Sequence, residues 1–172
     1  MKNNLLRVCV AWVCLAFSYI APAALIINFN EVGADVAATY SGSFASLPGI
    51  SGWASRTSNN QVASGVPAIY LSGAPGNQVD FYKYDFTSNF PTFGSRNSLV
   101  GAPVAGTYSG ATSFILDLNQ LYLPDTYSLG SSIAGSATWS GQTFASMQLT
   151  SGSYAGILTN GETITVNVGP SG

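Results

Sequence analysis

Turn-forming residues interrupt this sequence every few positions after residue 24, and no stretch between the interruptions keeps a helical period. The interrupting residues are mainly glycine and proline, of which the 172-residue chain contains 19 and 8. The stretches between them are short and rich in β-branched and aromatic residues, a composition typical of β-strands. Ten such runs predict an all-β protein: residues 25–29, 35–40, 68–72, 78–86, 112–118, 120–123, 137–139, 143–149, 154–158 and 162–168.

The turn residues between these runs predict how neighbouring strands connect. Asn160-Gly161 separates the last two runs and is the strongest hairpin signal in the chain, because both residue types tolerate positive φ. Ser140-Gly141-Gln142 predicts a second hairpin, between residues 137–139 and 143–149. Residues 89–104 lack strand alternation and predict a long loop. About ten strands without helices favour an antiparallel β-sandwich, jelly-roll-like or immunoglobulin-like, over a barrel.

The N-terminus has the three-part layout of a secretory signal peptide. Lys2 and Arg7 precede an uncharged apolar run at residues 8–20, and Ala21-Pro22-Ala23 supplies the small residues that signal peptidase needs. The alternative is a retained membrane anchor, but the run of 13 residues is shorter than the roughly 20 needed to span a bilayer. We therefore expect Sec-dependent export, cleavage after Ala23, and a secreted or cell-surface protein. Residues 1–23 form the signal and residues 24–172 a single β-sandwich domain.

Charge is scarce in this chain. Charged residues make up 7% of it, whereas about 25% is usual, and Ser, Thr, Asn, Gln and Gly fill the polar positions instead. After residue 23 the basic residues are Arg56, Lys83 and Arg96, against seven acids, a formal net charge of −4. Three scattered cations cannot neutralise a run of phosphates, which excludes nucleic acid and anionic lipid headgroups as partners. No segment after Ala23 is apolar enough to predict a membrane span.

The sequence supplies few groups for catalysis or metal binding. It has no histidine, and both cysteines lie within residues 1–23, which excludes Ser-His-acid triads, thiol nucleophiles and zinc sites. Asp80 and Asp85 share a predicted strand at an odd spacing, so they point to opposite faces and cannot flank one glycosidic bond. The acids are dispersed, with Asp35 and Asp125 the nearest to a calcium ligand set. We therefore assign no catalytic residue, no cofactor and no metal site.

Exposed aromatic residues are the remaining candidates for a ligand site, here a sugar. Most aromatics in a small all-β protein pack in the core, and we expect this of Trp139. Trp53 lies in the segment ISGWASRTS beside Arg56, which we interpret as a loop. These two residues are our candidate sugar-binding site, with Trp53 as an exposed platform.

Two stretches of the chain resemble exported bacterial proteins of the PEP-CTERM type, the substrates of exosortases. Residues 121–169 read LYLPDTYSLGSSIAGSATWSGQTFASMQLTSGSYAGILTNGETITVNVG, similar to the family's "lPxgYxsGs-l-gsatf-g-tfaslgltpGty" pattern and its closing strand. Residues 30–43, NEVGADVAATYSGS, resemble the family's "e-gsdVvatgsGsl". Family members then continue into Pro-Glu-Pro, a transmembrane helix and a basic tail, whereas this sequence ends at Gly172, where that tag would begin.

The resemblance implies a cell-surface or extracellular-polymer role. We expect a non-enzymatic structural or adhesive component of the extracellular matrix, such as a biofilm, whose Ser/Thr/Asn-rich surface associates with exopolysaccharide. The alternative is a lectin-like carbohydrate-binding module centred on Trp53. A third possibility is a polysaccharide-acting enzyme, which requires two carboxylates about 5–10 Å apart at a cleft.

Overall fold

The structure, a computed structural model, describes residues 25–57, 60–71, 78–101, 109–110 and 113–169. The expected signal peptide and its cleavage position at Ala23 lie outside the described residues. Within them the chain forms thirteen strands and one helical turn. These elements are β1 (Leu25–Val32), β2 (Asp35–Gly42), β3 (Gly52–Thr57), β4 (Gln61–Ala63), β5 (Ala68–Leu71), β6 (Gln78–Asp85), β7 (Val100–Gly101), β8 (Ser109–Gly110), β9 (Phe114–Asp117), β10 (Gln120–Pro124), β11 (Ile133–Trp139), α1 (Phe144–Met147), β12 (Gly152–Ile157) and β13 (Thr163–Val168).

The strands assemble into two sheets. Sheet A has the strand order β12-β13-β1-β2-β11-β8, and sheet B has the order β3-β6-β10-β9-β5-β4-β7. The pair β1–β13 is parallel, and every other strand pair in the described residues is antiparallel. Both sheets contribute alternate residues to one shared apolar core. The predicted antiparallel β-sandwich is therefore confirmed.

Aromatic side chains fill the centre of this core. Trp139 is fully buried, as expected, and its ring lies 5.8 Å from that of Phe29, centroid to centroid. The Phe29 ring in turn stacks on Phe93 at 6.2 Å. Phe93 and the buried Phe90 come from the segment expected to be a loop. In its described part that segment contains the two-residue strand β7 and otherwise no named strand, but it closes one side of the sandwich with two buried rings.

One predicted strand is a helical turn instead. Within the predicted strand 143–149, Phe144–Met147 form α1, because Thr143 and Ser146 make a reciprocal capping box in which each side chain accepts the other residue's backbone N–H. The Glu31 carboxylate accepts the N–H of Phe144, and Gln148 ends the turn in the left-handed region at φ 53°. The expected hairpin between residues 137–139 and 143–149 is therefore wrong, and β11 pairs with β2 and β8.

The hairpin at Asn160-Gly161 is confirmed. It joins β12 to β13, and Gly161 has a φ of +93°, a conformation that favours glycine. The side chain of the neighbouring Glu162 is buried. Its Oε1 accepts the N–H of Ser46 at 3.2 Å, while Asn160 Nδ2 donates to Ser46 Oγ at 3.0 Å. These bonds fasten the segment after β2 to the end of the β12–β13 hairpin.

Candidate functional site

The outer side of sheet A carries uncharged hydrogen-bonding side chains. Because side chains alternate along a strand, the residues between the core positions point away from the core. We call this surface the hydroxyl–amide face. Its polar members are Asn28 and Asn30 of β1, Thr39 and Ser41 of β2, Ser136 and Thr138 of β11, Ser153 of β12, and Thr163, Thr165 and Asn167 of β13.

A single row of this face crosses five neighbouring strands of the sheet. Strand register aligns, in order, Ser153, Asn167, Asn28, Thr39 and Ser136. At the usual strand spacing this row is about 19 Å long. Ser153 Oγ donates to Asn167 Oδ1 at 2.7 Å, and Asn167 Nδ2 donates to Asn28 Oδ1 at 2.9 Å. These lateral bonds hold the amide groups in fixed orientations.

The hydroxyl–amide face is almost without charge. Among the described outward positions of sheet A, Asp35 is the one ionisable side chain, and it lies at a corner, where its Oδ1 accepts the N–H of Gly141 at 2.8 Å. Alanine and isoleucine, including Ala37 and the exposed Ile26, fill the remaining outward positions near the row. The face therefore presents both hydrogen-bond donors and hydrogen-bond acceptors and almost no charge.

The outer side of sheet B is built differently. Its centre is a second apolar cluster of Ala54, Phe81, Ile115 and Tyr122, with Tyr70 and Val79 packed against it. Charged side chains lie among these residues on the same face: Arg56, Lys83, Asp85 and Asp117. We call this surface the tyrosine face. The sequence predicted no such cluster, because its members come from five strands that are separated along the chain.

Polar contacts on the tyrosine face are made within the protein. Lys83 Nζ lies 5.4 Å from the centroid of the Tyr122 ring. The Tyr122 hydroxyl donates to Gln120 Oε1 at 3.2 Å, and Gln120 Nε2 donates to Asp85 Oδ1 at 2.9 Å. Asp85 Oδ1 also accepts from Ser51 Oγ at 2.8 Å. This network links the ring cluster to the start of β3.

Burial controls the acidity of the two tyrosines on this face. Desolvation raises the pKa of both Tyr70 and Tyr122, and the negative charge of Asp117 raises it further. The positive charge of Arg56 opposes the rise in both pKa values. Desolvation also raises the pKa of Tyr84 and Tyr127 elsewhere in the sandwich. All four phenols are therefore protonated at neutral pH.

The two residues of the predicted sugar site do not lie together. Trp53 is exposed, as expected, with 63% of its surface accessible, but it belongs to strand β3 and not to a loop. Trp53 pairs with Tyr82, whereas Arg56 pairs with Val79. Their positions differ by three residues, so they point to opposite faces of sheet B. Arg56 lies on the tyrosine face, and Trp53 has Tyr82 as its neighbour instead.

The register also places the carboxylates. Asp80 pairs with Ser55 and Asp85 with Gln120, which puts the two acids on opposite faces, as predicted. Asp85 and Asp117 share the tyrosine face on either side of β10, so strand spacing puts their Cα atoms about 10 Å apart. The sequence did not predict this second pair, since it depends on the register. No group of three or more metal-ligating acids, histidines or cysteines occurs in the described part of the chain.

A pocket of about 370 Å³ lies where β6, β9 and β10 meet the loop that follows β10. Val79 and Pro124 contribute apolar lining, and the other lining residues carry hydroxyl groups. The hydroxyl-bearing residues are Ser113, Thr126, Tyr127, Ser128 and Ser131. The Tyr127 hydroxyl is already engaged, because it accepts the N–H of Phe44 and donates to the carbonyl of Ser131.

Comparison with known proteins adds no relative. The sequence matches no protein-family model, no curated protein and no solved structure. The resemblance to PEP-CTERM proteins therefore stays a prediction. In the described residues, no helix has the length and apolar character needed to cross a membrane. The fold and these surfaces define the class of the molecule, an antiparallel β-sandwich with two chemically different outer faces.

Proposed function

We propose that this chain is an exported, non-enzymatic protein that associates with neutral extracellular polysaccharide. In this role it would be a structural or adhesive component of the polymer matrix. The observation that carries the proposal is the hydroxyl–amide face, with a row of uncharged donors and acceptors across five neighbouring strands of sheet A. The predicted export signal and the resemblance of the two chain ends to PEP-CTERM proteins support the same role.

The chemistry of the face suits a neutral polymer. Each hydrogen bond exchanged with water contributes only about 0.5–1.5 kcal/mol, so a single contact would be weak. A polysaccharide repeats its hydroxyl groups along its length and can make several such contacts at once, which raises the overall affinity. A face with few charges also avoids the cost of removing water from ions. We therefore expect weak, additive association through many contacts.

Retention on purified exopolysaccharide of the producing organism tests this proposal. The test variant carries Thr39→Val, Thr163→Val and Thr165→Val, which removes three hydroxyls from the face while keeping β-branched side chains of similar shape. The matched control carries Thr57→Val, Thr92→Val and Thr159→Val, three exposed threonines away from sheet A's outer side.

We expect the unmodified residue 24–172 chain and the control to be retarded on the polymer column, and the test variant to elute clearly earlier. Passage of the unmodified chain at the speed of the buffer would contradict the proposal. Equal retardation of the test and control variants would also contradict it, because the face would then contribute nothing.

A further inference from the structure

An exposed indole at the edge of sheet B is the feature that the proposed function leaves unused. Trp53 is 63% exposed, whereas Trp139, the other tryptophan in the described residues, is fully buried. A large aromatic side chain exposed on an ordered strand is unusual, because indoles normally bury much of their area. Trp53 lies on β3, an edge strand of sheet B with no further strand paired beyond it among the described residues.

The surroundings of Trp53 form a small shelf. We define the Trp53 shelf as Trp53 and Ser55 of β3 with their register partners Tyr82 and Asp80 of β6. Directly paired residues on antiparallel strands have Cβ atoms about 5 Å apart, so Tyr82 is the direct cross-strand neighbour of Trp53. Tyr82 itself packs against the main core, which fixes its position. The shelf therefore has a rigid base and an open aromatic surface.

Polar groups suitable for recognition lie next to the indole. Asp80 is exposed, and its carboxylate makes no hydrogen bond to another described residue. The N–H of Asp125 donates to the backbone carbonyl of Asp80 at 3.0 Å, which fixes the strand at this point. Ser55 adds a hydroxyl beside the carboxylate. An aromatic surface flanked by a carboxylate and a hydroxyl can stack on a ring and accept hydrogen bonds from its hydroxyls.

We infer that the Trp53 shelf is a binding subsite for one neutral sugar ring of a polysaccharide chain. The apolar C–H face of a pyranose would stack on the indole, and adjacent sugar hydroxyls would donate to the Asp80 carboxylate. The two acids at this end of the strands, Asp80 and Asp125, repel an acidic sugar, while Arg56 lies on the opposite face. This inference rests on the proposed function, because it gives the polymer a defined contact in addition to the hydroxyl–amide face.

Fluorescence titration tests the subsite. The residue 24–172 chain contains two tryptophans, Trp53 and Trp139, of which only Trp53 is accessible to a ligand. Hexasaccharides of neutral glucans with different linkages serve as probes, and oligogalacturonate serves as the acidic comparison. We expect a saturable change in emission at millimolar concentrations with at least one neutral probe and none with the acidic probe.

Three variants test which residues are responsible for the change in emission. Trp53→Ala abolishes it, and Asp80→Asn weakens binding about tenfold through the loss of a charge-assisted hydrogen bond. Arg56→Ala, on the same strand but the other face, leaves it unaltered. Thermal melts of all three variants confirm that each is folded, which is expected because the altered side chains are exposed.

The inference is overturned if no neutral probe gives a saturable change, if the change survives in Trp53→Ala, or if the acidic probe binds more tightly. Its failure is distinguishable from failure of the proposed function. If no probe changes the emission, but Trp53→Ala is retained on the polymer column as strongly as the unmodified chain, the subsite is disproved. The hydroxyl–amide face then remains the polymer contact. If no probe changes the emission and the unmodified chain passes through the column at the speed of the buffer, both the subsite and the proposed function are disproved.

Discussion

The two outer faces of this sandwich differ in what their side chains contact. On sheet A the outward residues are hydroxyls and amides that bond to one another, as from Ser153 to Asn167, and remain at the surface. On sheet B the outward residues form a buried ring cluster around Phe81 and Tyr122, with charged groups arranged over it. One face therefore contributes to stability by burying apolar area, while the other leaves hydroxyl and amide groups at the surface.

The largest expected effect separates the two faces by their contribution to stability. Phe81→Ala on the tyrosine face removes a fully buried ring and is expected to cost about 3–5 kcal/mol. Thr39→Ala on the hydroxyl–amide face is expected to cost less than about 1 kcal/mol, since the residue is exposed. Denaturant unfolding of both variants measures the difference. Similar costs would contradict the contrast.

The pH dependence of stability provides the next test. Desolvation raises the pKa of Tyr70, Tyr84, Tyr122 and Tyr127 in the folded state, so above about pH 10 the unfolded chain loses protons that the folded chain keeps. Stability is therefore complete below that pH and falls as the pH rises further. Thermal melts from pH 8 to 11 should show the fall, and Tyr122→Phe should reduce it. An unchanged melting temperature up to pH 11 would disprove this account.

A smaller effect is expected within the hydroxyl–amide face. Asn167→Ala removes the bond from Ser153 and the bond to Asn28, and is expected to cost about 1 kcal/mol. Ser153→Ala removes one of these bonds and serves as the control, with a smaller cost. Chemical denaturation compares the two. A cost for Ser153→Ala equal to or above that for Asn167→Ala would show that the lateral bonds do not act as a chain.

The smallest expected effect concerns the charge above the Tyr122 ring. Lys83→Met keeps an apolar stem across Gly52 but removes the ammonium group, with an expected cost of about 0.5–1 kcal/mol. The same substitution in a Tyr122→Leu background should cost less, because the ring is gone. A double-mutant cycle measures this coupling free energy, and a value of zero would show that the cation–π contact does not contribute to stability.

The fold class could be predicted from local sequence because most strands alternate clearly. Residues 163–168, TITVNV, alternate polar and apolar residues without interruption and form β13 as expected. Strand β3 escaped prediction, since Gly52, Ser55 and Arg56 give it little β character and its pairing with β6 holds it in place. The helical turn α1 was not predicted, because its capping box depends on two small hydroxyl residues inside an apolar run.

The candidate surfaces depend on information that a single sequence does not contain. Asn28 and Asn167 are hydrogen-bonded although 139 positions separate them. Composition predicted a hydroxyl-rich surface, but only the register shows that these groups form one row on one face. Similarly, Trp53 and Arg56 are close in sequence, and the alternation of strand β3 is what separates them. Because these two residues are close in sequence, we predicted one site, whereas the fold places them on two different surfaces.

Side-chain amide groups on both faces allow the central claim to be tested in one spectrum. Asn28 and Asn30 report on the hydroxyl–amide face, while Gln61 and Gln120 report on the tyrosine face. NMR of the residue 24–172 chain with increasing neutral exopolysaccharide should shift or broaden the two asparagine amide signals and leave the two glutamine signals in place. Changes confined to the glutamine amides, or equal changes on both faces, would contradict the assignment of polymer binding to sheet A.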